Sequence, residues 1–282
     1  MPSATDRPRP APHVLAAFGV DAAAEPLAGG QGGSFRAGDI VLKPCLNPDE
    51  AAWAARVFEG LNGPDFRVAR PVAASGSRWV VDGWAASQFI AGAHAGPNGG
   101  RWAETIAACE AFHAALRDVP RPGFFDDRQD PWSVADRLAW GEVAMEPLPL
   151  FAQPIRRLQA LLRPVDLPSQ VIHGDFTANV LFADGLSPGV IDFAPYWRPA
   201  GFAVGVIIAD ALTWAGADES ILALAAHVPE FLQLLARAEL RRVLELVQHA
   251  RGGRPSRPGE VAAHLPTIAL IERYVAGLRA KA

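Results

Sequence analysis

The hydrophobic pattern of this chain changes most clearly close to Gly92, and this change constrains the fold more than any other feature. Between residues 28 and 88 the apolar residues form short runs that are typical of strands, among them residues 66–72 and 77–81, interrupted by one helical stretch. After Gly92 the apolar spacing is mainly helical. The further helices expected there cover residues 131–142, 150–163, 201–214, 219–226, 229–251 and 260–280. A sheet-rich segment followed by a helical one predicts an α+β fold with two lobes.

The predicted organisation has three parts. Residues 1–12 are polar and rich in proline, and we expect a disordered tail there. Residues 13–90 form a small, β-rich N-terminal lobe, and residues 91–282 form a larger, mainly helical C-terminal lobe. One helix of the first lobe has a clear start, because Asn47 suits the N-cap, Pro48 the first helical position and Glu50 the third.

Composition excludes several classes of function. The chain has 26 Lys and Arg against 30 Asp and Glu, so its formal net charge of −4 predicts neither a nucleic-acid partner nor a membrane partner. Only two cysteines, Cys45 and Cys109, are present, which predicts no disulfide framework and suits a reducing cytoplasm. No apolar run is long and uncharged enough to predict a transmembrane helix.

The residues from His173 to Phe193 contain the strongest chemical signal. Asp175 and Asn179 lie beside short β-type runs, and Asp192 follows the next run. A carboxylate that accepts a hydroxyl proton, together with an amide and a carboxylate that hold Mg²⁺, can transfer a phosphoryl group from ATP. Each residue alone also fits a plain structural role, since Asp and Asn commonly end strands and stabilise turns.

Lys43 is notable because the chain has only one other lysine, Lys281. It ends an extended run shortly after the glycine-rich residues 29–33, and a compact ammonium suits the bridging of two phosphates. Glu50 on the following helix could pair with Lys43, although a capping role with Asn47 explains this glutamate equally well. A solvent-facing lysine and an ordinary hairpin turn are the alternatives for Lys43 and for the glycines.

The block from His173 to Phe193 resembles the catalytic loop of the aminoglycoside phosphotransferase and choline-kinase-like superfamily, whose members have a bilobal, protein-kinase-like fold. This resemblance implies that Asp175 is the general base and that His173 orients the loop. It implies ATP and Mg²⁺ as cofactors, with Asn179 and Asp192 as the metal ligands. The residues expected to contact the nucleotide are Gly30, Gly32, Gly33, Ser34, Lys43, Glu50 and the backbone of Gln88 and Ile90. Residues 192–199 are most similar to those of an actinobacterial branch of the superfamily.

One departure from the family pattern leaves the activity open. The family places its metal-binding Asn five positions after the catalytic Asp, whereas Asn179 lies four after Asp175. One residue spans up to about 3.5 Å of extended chain, and a misplacement of about 1 Å can cost on the order of 10²-fold in rate. A catalytically silent nucleotide-binding protein therefore remains an alternative to a kinase. A helical interaction module that uses its Arg-rich C-terminal helices is a third possibility.

The predicted substrate is a hydroxyl group of an unidentified small molecule. Residues 229–282 carry nine basic and five acidic side chains, which argues against a polycationic acceptor. Asp210, Asp218 and Glu219 could still form a local acidic rim. A neutral or anionic acceptor is therefore slightly favoured.

Overall fold

A computed structural model describes residues 9–27, 33–45, 47–95, 100–146 and 148–279. The described chain packs into two compact units. The first comprises the residues up to Gly92 together with Phe182–Asp192, and the second comprises Ala93–Leu181 and the residues from Phe193 onward. The chain therefore passes from one unit to the other three times, and the last passage directly follows Asp192.

The strands are short, and most belong to antiparallel pairs. They are β1 (Glu25–Pro26), β2 (Phe35–Ala37), β3 (Ile40–Pro44), β4 (Arg67–Val68), β5 (Pro71–Val72), β6 (Val80–Val81), β7 (Trp84–Gln88), β8 (Gln170–His173), β9 (Val180–Ala183), β10 (Leu186–Val190) and β11 (Pro195–Arg198).

The α-helices lie mainly in the second unit. They are α1 (Pro12–Ala17), α2 (Pro48–Gly60), α3 (Trp102–Ala115), α4 (Pro131–Ala139), α5 (Pro149–Gln159), α6 (Gly201–Trp214), α7 (Phe231–Arg251) and α8 (Pro258–Arg279). Short 3₁₀ helices cover Ser75–Ser77, Gly123–Phe125 and Glu219–Ala225.

A six-stranded sheet forms the body of the first unit, with its strands in the order β1-β2-β3-β7-β5 and with β6 paired to β7. Alternate residues of β3 point to opposite faces, so Ile40 and Leu42 are buried while Val41 and Lys43 lie on the other face. The buried face packs against α1, and Phe35 meets Trp84 edge to face at 5.7 Å. The strand pattern therefore separates the core of this unit from the face that carries Lys43.

Helix α2 begins as the sequence predicts. The Asn47 side-chain oxygen accepts hydrogen bonds from the backbone N–H groups of Asp49 at 3.1 Å and Glu50 at 3.2 Å, and Pro48 is the first helical residue. Two N–H groups that would otherwise lack an intrahelical partner are thereby satisfied.

The second unit is built around α6 and α7. Helix α6 is buried from Phe202 to Ala211 and is apolar over this stretch except for Asp210, as expected for a helix that is surrounded by others. At Gly205 it approaches α7 so closely that a Cβ atom would lie 3.2 Å from the backbone of Leu234. Strands β8 and β11 pair antiparallel in this unit, with Pro195 opposite His173.

The α+β arrangement predicted from the sequence is confirmed, with differences at several boundaries. The strand expected from residue 77 begins only at Val80, because Gly76 adopts a φ of 71° and turns the chain. The helix expected to reach residue 142 ends at Ala139, shortly before Gly141 with a φ of 72°. The segment expected as a helix at 219–226 is a 3₁₀ helix.

The predicted end of the tail and the predicted lobe of one internal segment also differ from the observed packing. The predicted tail ends at residue 12, whereas Pro10 is buried and Pro12 begins α1, since proline suits the first turn of a helix. Phe182–Asp192 groups with the sheet-rich unit, although the sequence assigned it to the helical lobe. Among the described helices, none combines the length and the apolar character that crossing a bilayer requires.

Candidate active site

Lys43 and Asp192 form an ion pair within the first unit. Lys43 lies on the face of β3 opposite the buried core, and about 30% of its side chain is exposed. Asp192 follows β10, and its side chain is 45% exposed. The pairing brings together a predicted phosphate ligand and a predicted metal ligand that are 149 positions apart in the chain.

The backbone at Asp192 has an uncommon conformation. Strand β10 runs parallel to β4, and the N–H of Ala69 donates to the carbonyl of Val190 at 3.0 Å, which fixes the strand end. Two residues later Asp192 adopts a φ of 53°, in the left-handed region that non-glycine residues seldom occupy. Asp tolerates this region better than most residues, and such backbone outliers cluster at functional sites.

Asp175 lies in the loop between β8 and β9, in the second unit, and 43% of its side chain is exposed. Its carboxylate Oδ1 accepts a hydrogen bond of 2.8 Å from Nη2 of Arg242. Partial burial raises the pKa of the Asp175 carboxyl, but the Arg242 charge and hydrogen bond outweigh burial and hold this pKa below its usual range. The carboxylate is therefore ionised, as an acceptor for a hydroxyl proton must be.

Asn179 closes the same loop. Its amide Nδ2 donates to the backbone carbonyl of Asp175 at 2.6 Å, and its backbone N–H donates to the carbonyl of Phe176 at 3.1 Å. Because the nitrogen end of the amide is engaged in this way, Oδ1 is the end that is left to coordinate a cation. The four-residue spacing thus permits a direct hydrogen bond between Asn179 and the residue that carries the carboxylate.

His173 is fully buried directly before the loop. The backbone N–H of Asp175 donates to its Nδ1 at 3.2 Å, and its ring meets those of Phe112, Phe176 and Phe193 at tilted or edge-to-face angles. A ring held in this way can orient the loop, which is the role that the sequence favoured for it.

His113 of α3 contacts the backbone of His173. The backbone N–H of His173 donates to Nε2 of His113 at 2.9 Å, and Nδ1 of His113 contacts the carbonyl of Cys109 at 2.7 Å. These partners assign the proton of a neutral ring to Nδ1. Burial lowers the pKa of His113 to about 3, with a further contribution from His173.

Several residues that contact the loop were not recognised from the sequence. Arg242 also binds Asp210 through Nε at 2.8 Å and through Nη2 at 2.7 Å, and the Thr177 hydroxyl donates to Asp210 at 2.7 Å. Arg241 donates to the Gly174 carbonyl at 2.8 Å. The available signal was the position of two adjacent arginines at three and four residues before Glu245 on one helix.

Asp210 therefore does not form the acidic rim that the sequence allowed for it. Its side chain is only 11% exposed, and it is neutralised by the Arg242 guanidinium. Gly174 has a steric role beside this network, because a Cβ atom there would lie 2.3 Å from the ring of Tyr196.

The remaining predicted nucleotide contacts belong to the first unit. Gly30 and Gly32 lie outside the described residues. Gly33 and Ser34 precede β2, and the Ser34 carbonyl accepts from the N–H of Leu27 at 2.9 Å, which extends the pairing of β1 with β2. The hairpin turn and the contact with phosphates, which were the two interpretations of the glycine-rich segment, both stay predictions.

The predicted adenine contacts lie at the end of β7. The N–H of Gln88 donates to the carbonyl of Arg70 at 2.7 Å, so this N–H is engaged within the sheet, while Ile90 lies two residues beyond the end of the strand. Glu50 has its N–H capped by Asn47, and the negative charge of Glu50 contributes to raising the pKa of the nearby Cys45, after burial. The pairing of Glu50 with Lys43 stays a prediction.

Among the described residues, no cluster of three or more His, Cys, Asp and Glu side chains is arranged to hold a metal ion. A site of that kind is not required for Mg²⁺, which commonly uses one or two protein carboxylates and takes its other ligands from phosphates and water. Asn179 Oδ1 and the half-exposed Asp192 carboxylate are oxygen donors of the kind that Mg²⁺ prefers.

Comparisons with known proteins agree on one fold. The sequence profile of the phosphotransferase enzyme family (APH) matches residues 24–196, which is more than half of the chain. An aminoglycoside phosphotransferase from Alicyclobacillus acidocaldarius is similar in structure with a TM-score of 0.63 at 16% identity, covering 99% of this chain and 98% of that one. No curated protein sequence gives a significant match.

Two further solved structures extend the comparison. A choline/ethanolamine kinase family protein from Mesorhizobium loti has a TM-score of 0.61 at 18% identity, covering 93% of this chain and 94% of that one. A spectinomycin phosphotransferase, solved with ADP and spectinomycin, has a TM-score of 0.57 at 14% identity, covering 94% of this chain and 96% of that one. At identities this low the structural similarity shows a shared fold and no more. The shared fold confirms the predicted kinase-like architecture.

Proposed function

This chain belongs to the phosphotransferase enzyme family, and from that premise we propose that it transfers the terminal phosphoryl group of ATP, with Mg²⁺, to a hydroxyl group of a small molecule. The pairing of Lys43 with Asp192 is the observation that carries the proposal. Lys43 is a strand-borne ammonium beside an aspartate in the left-handed region, and both side chains are partly exposed. This pair matches what phosphate and metal binding demand.

Each residue has a defined role in the proposed reaction. Lys43 binds phosphate oxygens of the nucleotide as a compact positive charge. Asp175 accepts the proton of the acceptor hydroxyl while the hydroxyl oxygen forms a bond to the terminal phosphorus and the bond from that phosphorus to ADP breaks. His173 keeps the loop of Asp175 in one conformation through its bond to the Asp175 N–H.

Asn179 and Asp192 are the proposed Mg²⁺ ligands. When bound, the metal neutralises negative charge on the phosphates during transfer. The hydrogen bond from Asn179 to the Asp175 carbonyl supports this assignment, because it leaves the amide oxygen available. Gly30, Gly32, Gly33 and Ser34 are proposed to contact the phosphates, and the backbone at Gln88 and Ile90 is proposed to contact the adenine.

A catalytically silent nucleotide-binding protein was the main alternative, and it rested on the shortened spacing between Asp175 and Asn179. The 2.6 Å hydrogen bond between them supports a loop that keeps its catalytic residues together despite the missing residue. Transfer is therefore favoured, and the experiment below separates the two functions.

The acceptor is proposed to be neutral or anionic. Structural relatives include phosphotransferases solved with spectinomycin and with hygromycin B. In this chain Asp210 and Glu245, which could attract a cation next to Asp175, are both paired with Arg242. This pairing disfavours a polycationic acceptor at the base. The predicted cytoplasmic location is compatible with such a metabolite and stays a prediction.

The substitution Asp175→Asn tests the proposal. We expect ATP with Mg²⁺ to raise the melting temperature of the variant as much as that of the parent, because Asp175 is not a nucleotide ligand. The rate at which the variant transfers phosphate to hydroxyl compounds should fall by roughly 10²–10⁴-fold. Phosphorus NMR over a metabolite panel measures this rate.

Three results would contradict parts of this scheme. Equal transfer by the variant and the parent would exclude Asp175 as the base. Stabilisation of the parent by ATP without any phosphorylated product would favour the silent binding protein. No response of the melting temperature to ATP or GTP would favour the helical interaction module.

A further inference from the structure

Arg242 of α7 contacts the carboxylate of Asp175 from a position 67 residues further along the chain. We propose that Arg242 is a positioning residue for phosphoryl transfer, and that it holds the Asp175 carboxylate in the one orientation that receives the acceptor hydroxyl. This inference rests on the proposed function, since it concerns the same reaction.

The guanidinium of Arg242 is itself rigidly held. Its Nε and Nη2 donate to the two oxygens of Asp210 at 2.8 and 2.7 Å, and its Nη1 donates to Glu245 at 3.0 Å. Only 12% of the side chain is exposed. A planar group bound by three carboxylates cannot rotate without breaking several charged hydrogen bonds, so the direction of Nη2 toward Asp175 is fixed.

The same two helices also hold the loop on either side of Asp175. Arg241 of α7 donates to the carbonyl of Gly174 at 2.8 Å, and its guanidinium lies 4.4 Å from the centre of the Tyr196 ring. Thr177 donates to Asp210 of α6 at 2.7 Å. The position of Asp175 is therefore determined by α6 and α7 as well as by the loop, which is how a loop with the shortened spacing can still present its carboxylate correctly.

The contact with Arg242 distinguishes the two carboxylate oxygens of Asp175. Oδ1 is engaged by Arg242 at 2.8 Å, whereas Oδ2 lies 3.4 Å from the Asn179 amide nitrogen. Among the described residues, Oδ2 accepts only this longer hydrogen bond from Asn179, so its second lone pair is the one that we assign to the hydroxyl. Pairing with an arginine makes the carboxylate a weaker base, but phosphoryl transfer depends more on aligning the attacking oxygen than on proton affinity.

The first test compares Arg242→Met and Arg242→Lys with the parent, using phosphate release from ATP to water and transfer to any acceptor found. We expect Arg242→Met to lower kcat on the order of 10²-fold while the KM for ATP stays within about threefold, because orientation is lost but nucleotide binding is not. Arg242→Lys keeps the positive charge but lacks the planar guanidinium, and we expect its kcat to be about tenfold lower than that of the parent. A kcat equal to that of the parent for either variant would overturn the inference.

Arg157→Met is the matched control, since it removes a two-point ion pair with Glu272 at 2.8 and 2.7 Å elsewhere in the same unit. Its kcat should equal that of the parent. A loss as large as that of Arg242→Met would show a general effect of removing an arginine and would count against positioning.

A second test needs no turnover. Crystal structures of the parent and of Arg242→Lys should show Asp175 in one conformer in the parent and in a rotated conformer or several conformers in the variant. An unchanged single conformer would overturn the positioning role. A parent that transfers no phosphate would contradict the proposed function alone, because this structural result would still decide whether Arg242 orients Asp175.

Discussion

The side chains of the candidate site are controlled by partners that are remote in sequence. Asp175 is paired with Arg242, and His173 rests on His113, which lies 60 positions earlier. Each partner changes the ionisation of the group that it contacts or fixes its orientation. At the scale of single residues, the environment of this loop thus depends on contacts that reach to it from α3 and α7.

His113 makes the stability of the protein depend on pH. Burial lowers its pKa in the folded chain to about 3, whereas an unfolded histidine titrates near 6.5. Between about pH 3 and about pH 6.5, His113 therefore binds a proton in the unfolded chain but not in the folded chain. Stability from this residue is complete above about pH 6.5 and is lost as the pH falls toward 3.

Urea unfolding at several pH values measures this effect. Between pH 7 and pH 5 the parent should lose about 2 kcal/mol more unfolding free energy than His113→Gln, which has no imidazole to protonate. Glu239, whose pKa is raised mainly by burial, contributes with the opposite sign but equally in both proteins. The exposed His94→Gln is the control and should keep the slope of the parent, and an identical slope for His113→Gln would contradict the prediction.

At the scale of elements, α6 and α7 both contact the loop that contains Asp175. Their close approach at Gly205 sets how Asp210 and Arg242 meet, because one residue lies on each helix. Helix propensity favours alanine over glycine by about 1 kcal/mol. The crowding at Gly205 acts against that preference, since the atoms in the way are backbone atoms of Leu234, which cannot move independently.

Gly205→Ala and Gly277→Ala form a matched pair that separates packing from propensity. A Cβ atom at Gly205 lies 3.2 Å from the carbonyl of Leu234, so we expect a net destabilisation of about 1–2 kcal/mol. At Gly277 of α8 a Cβ atom meets nothing within 4 Å, so we expect a stabilisation of up to about 1 kcal/mol. Chemical denaturation measures both, and a stabilised Gly205→Ala would show that the helices separate without cost.

At the scale of the whole molecule, nucleotide binding should raise the stability of the folded chain by mass action. A ligand at about 100 times its Kd adds about 2.7 kcal/mol to the free energy of unfolding. Lys43 is the proposed phosphate ligand of the chain, and its ion pair with Asp192 is partly exposed. The loss of this pair alone should cost no more than about 1 kcal/mol.

Lys43→Met should therefore fold normally and yet lose at least about half of its stabilisation by ATP with Mg²⁺, because a Kd that is at least about tenfold weaker is equivalent to about 1.4 kcal/mol. Thermal shift over a range of ATP concentrations measures the change. Lys281→Met removes the other lysine of the chain and should respond to ATP as the parent does. An unchanged response of Lys43→Met would remove Lys43 from the nucleotide site.

Local sequence patterns predicted most of the fold. The start of α2 follows from the cap at Asn47 and from Pro48, and the position of β3 follows from its extended run, because both signals act within a few residues. The apolar run from Gly201 to Trp214 forms α6. Boundaries were missed where a backbone with positive φ, as at Gly76, interrupts an otherwise continuous pattern. The resemblance to phosphotransferases is confirmed at the level of the family, and the actinobacterial branch stays a prediction.

The sequence by itself determined which residues carry the candidate chemistry, because Asp175, Asn179 and Asp192 belong to one short block with recognisable spacing. Only the tertiary structure decided their electrostatic partners. The pairing of Lys43 with Asp192, and of Arg242 with Asp175, depends on strands and helices that are distant in the chain and meet only when their apolar faces are buried. A long-range contact of this kind leaves no local period in the sequence, which is why the sequence showed only the charge of α7, whereas the structure shows the contact of its Arg242 with Asp175.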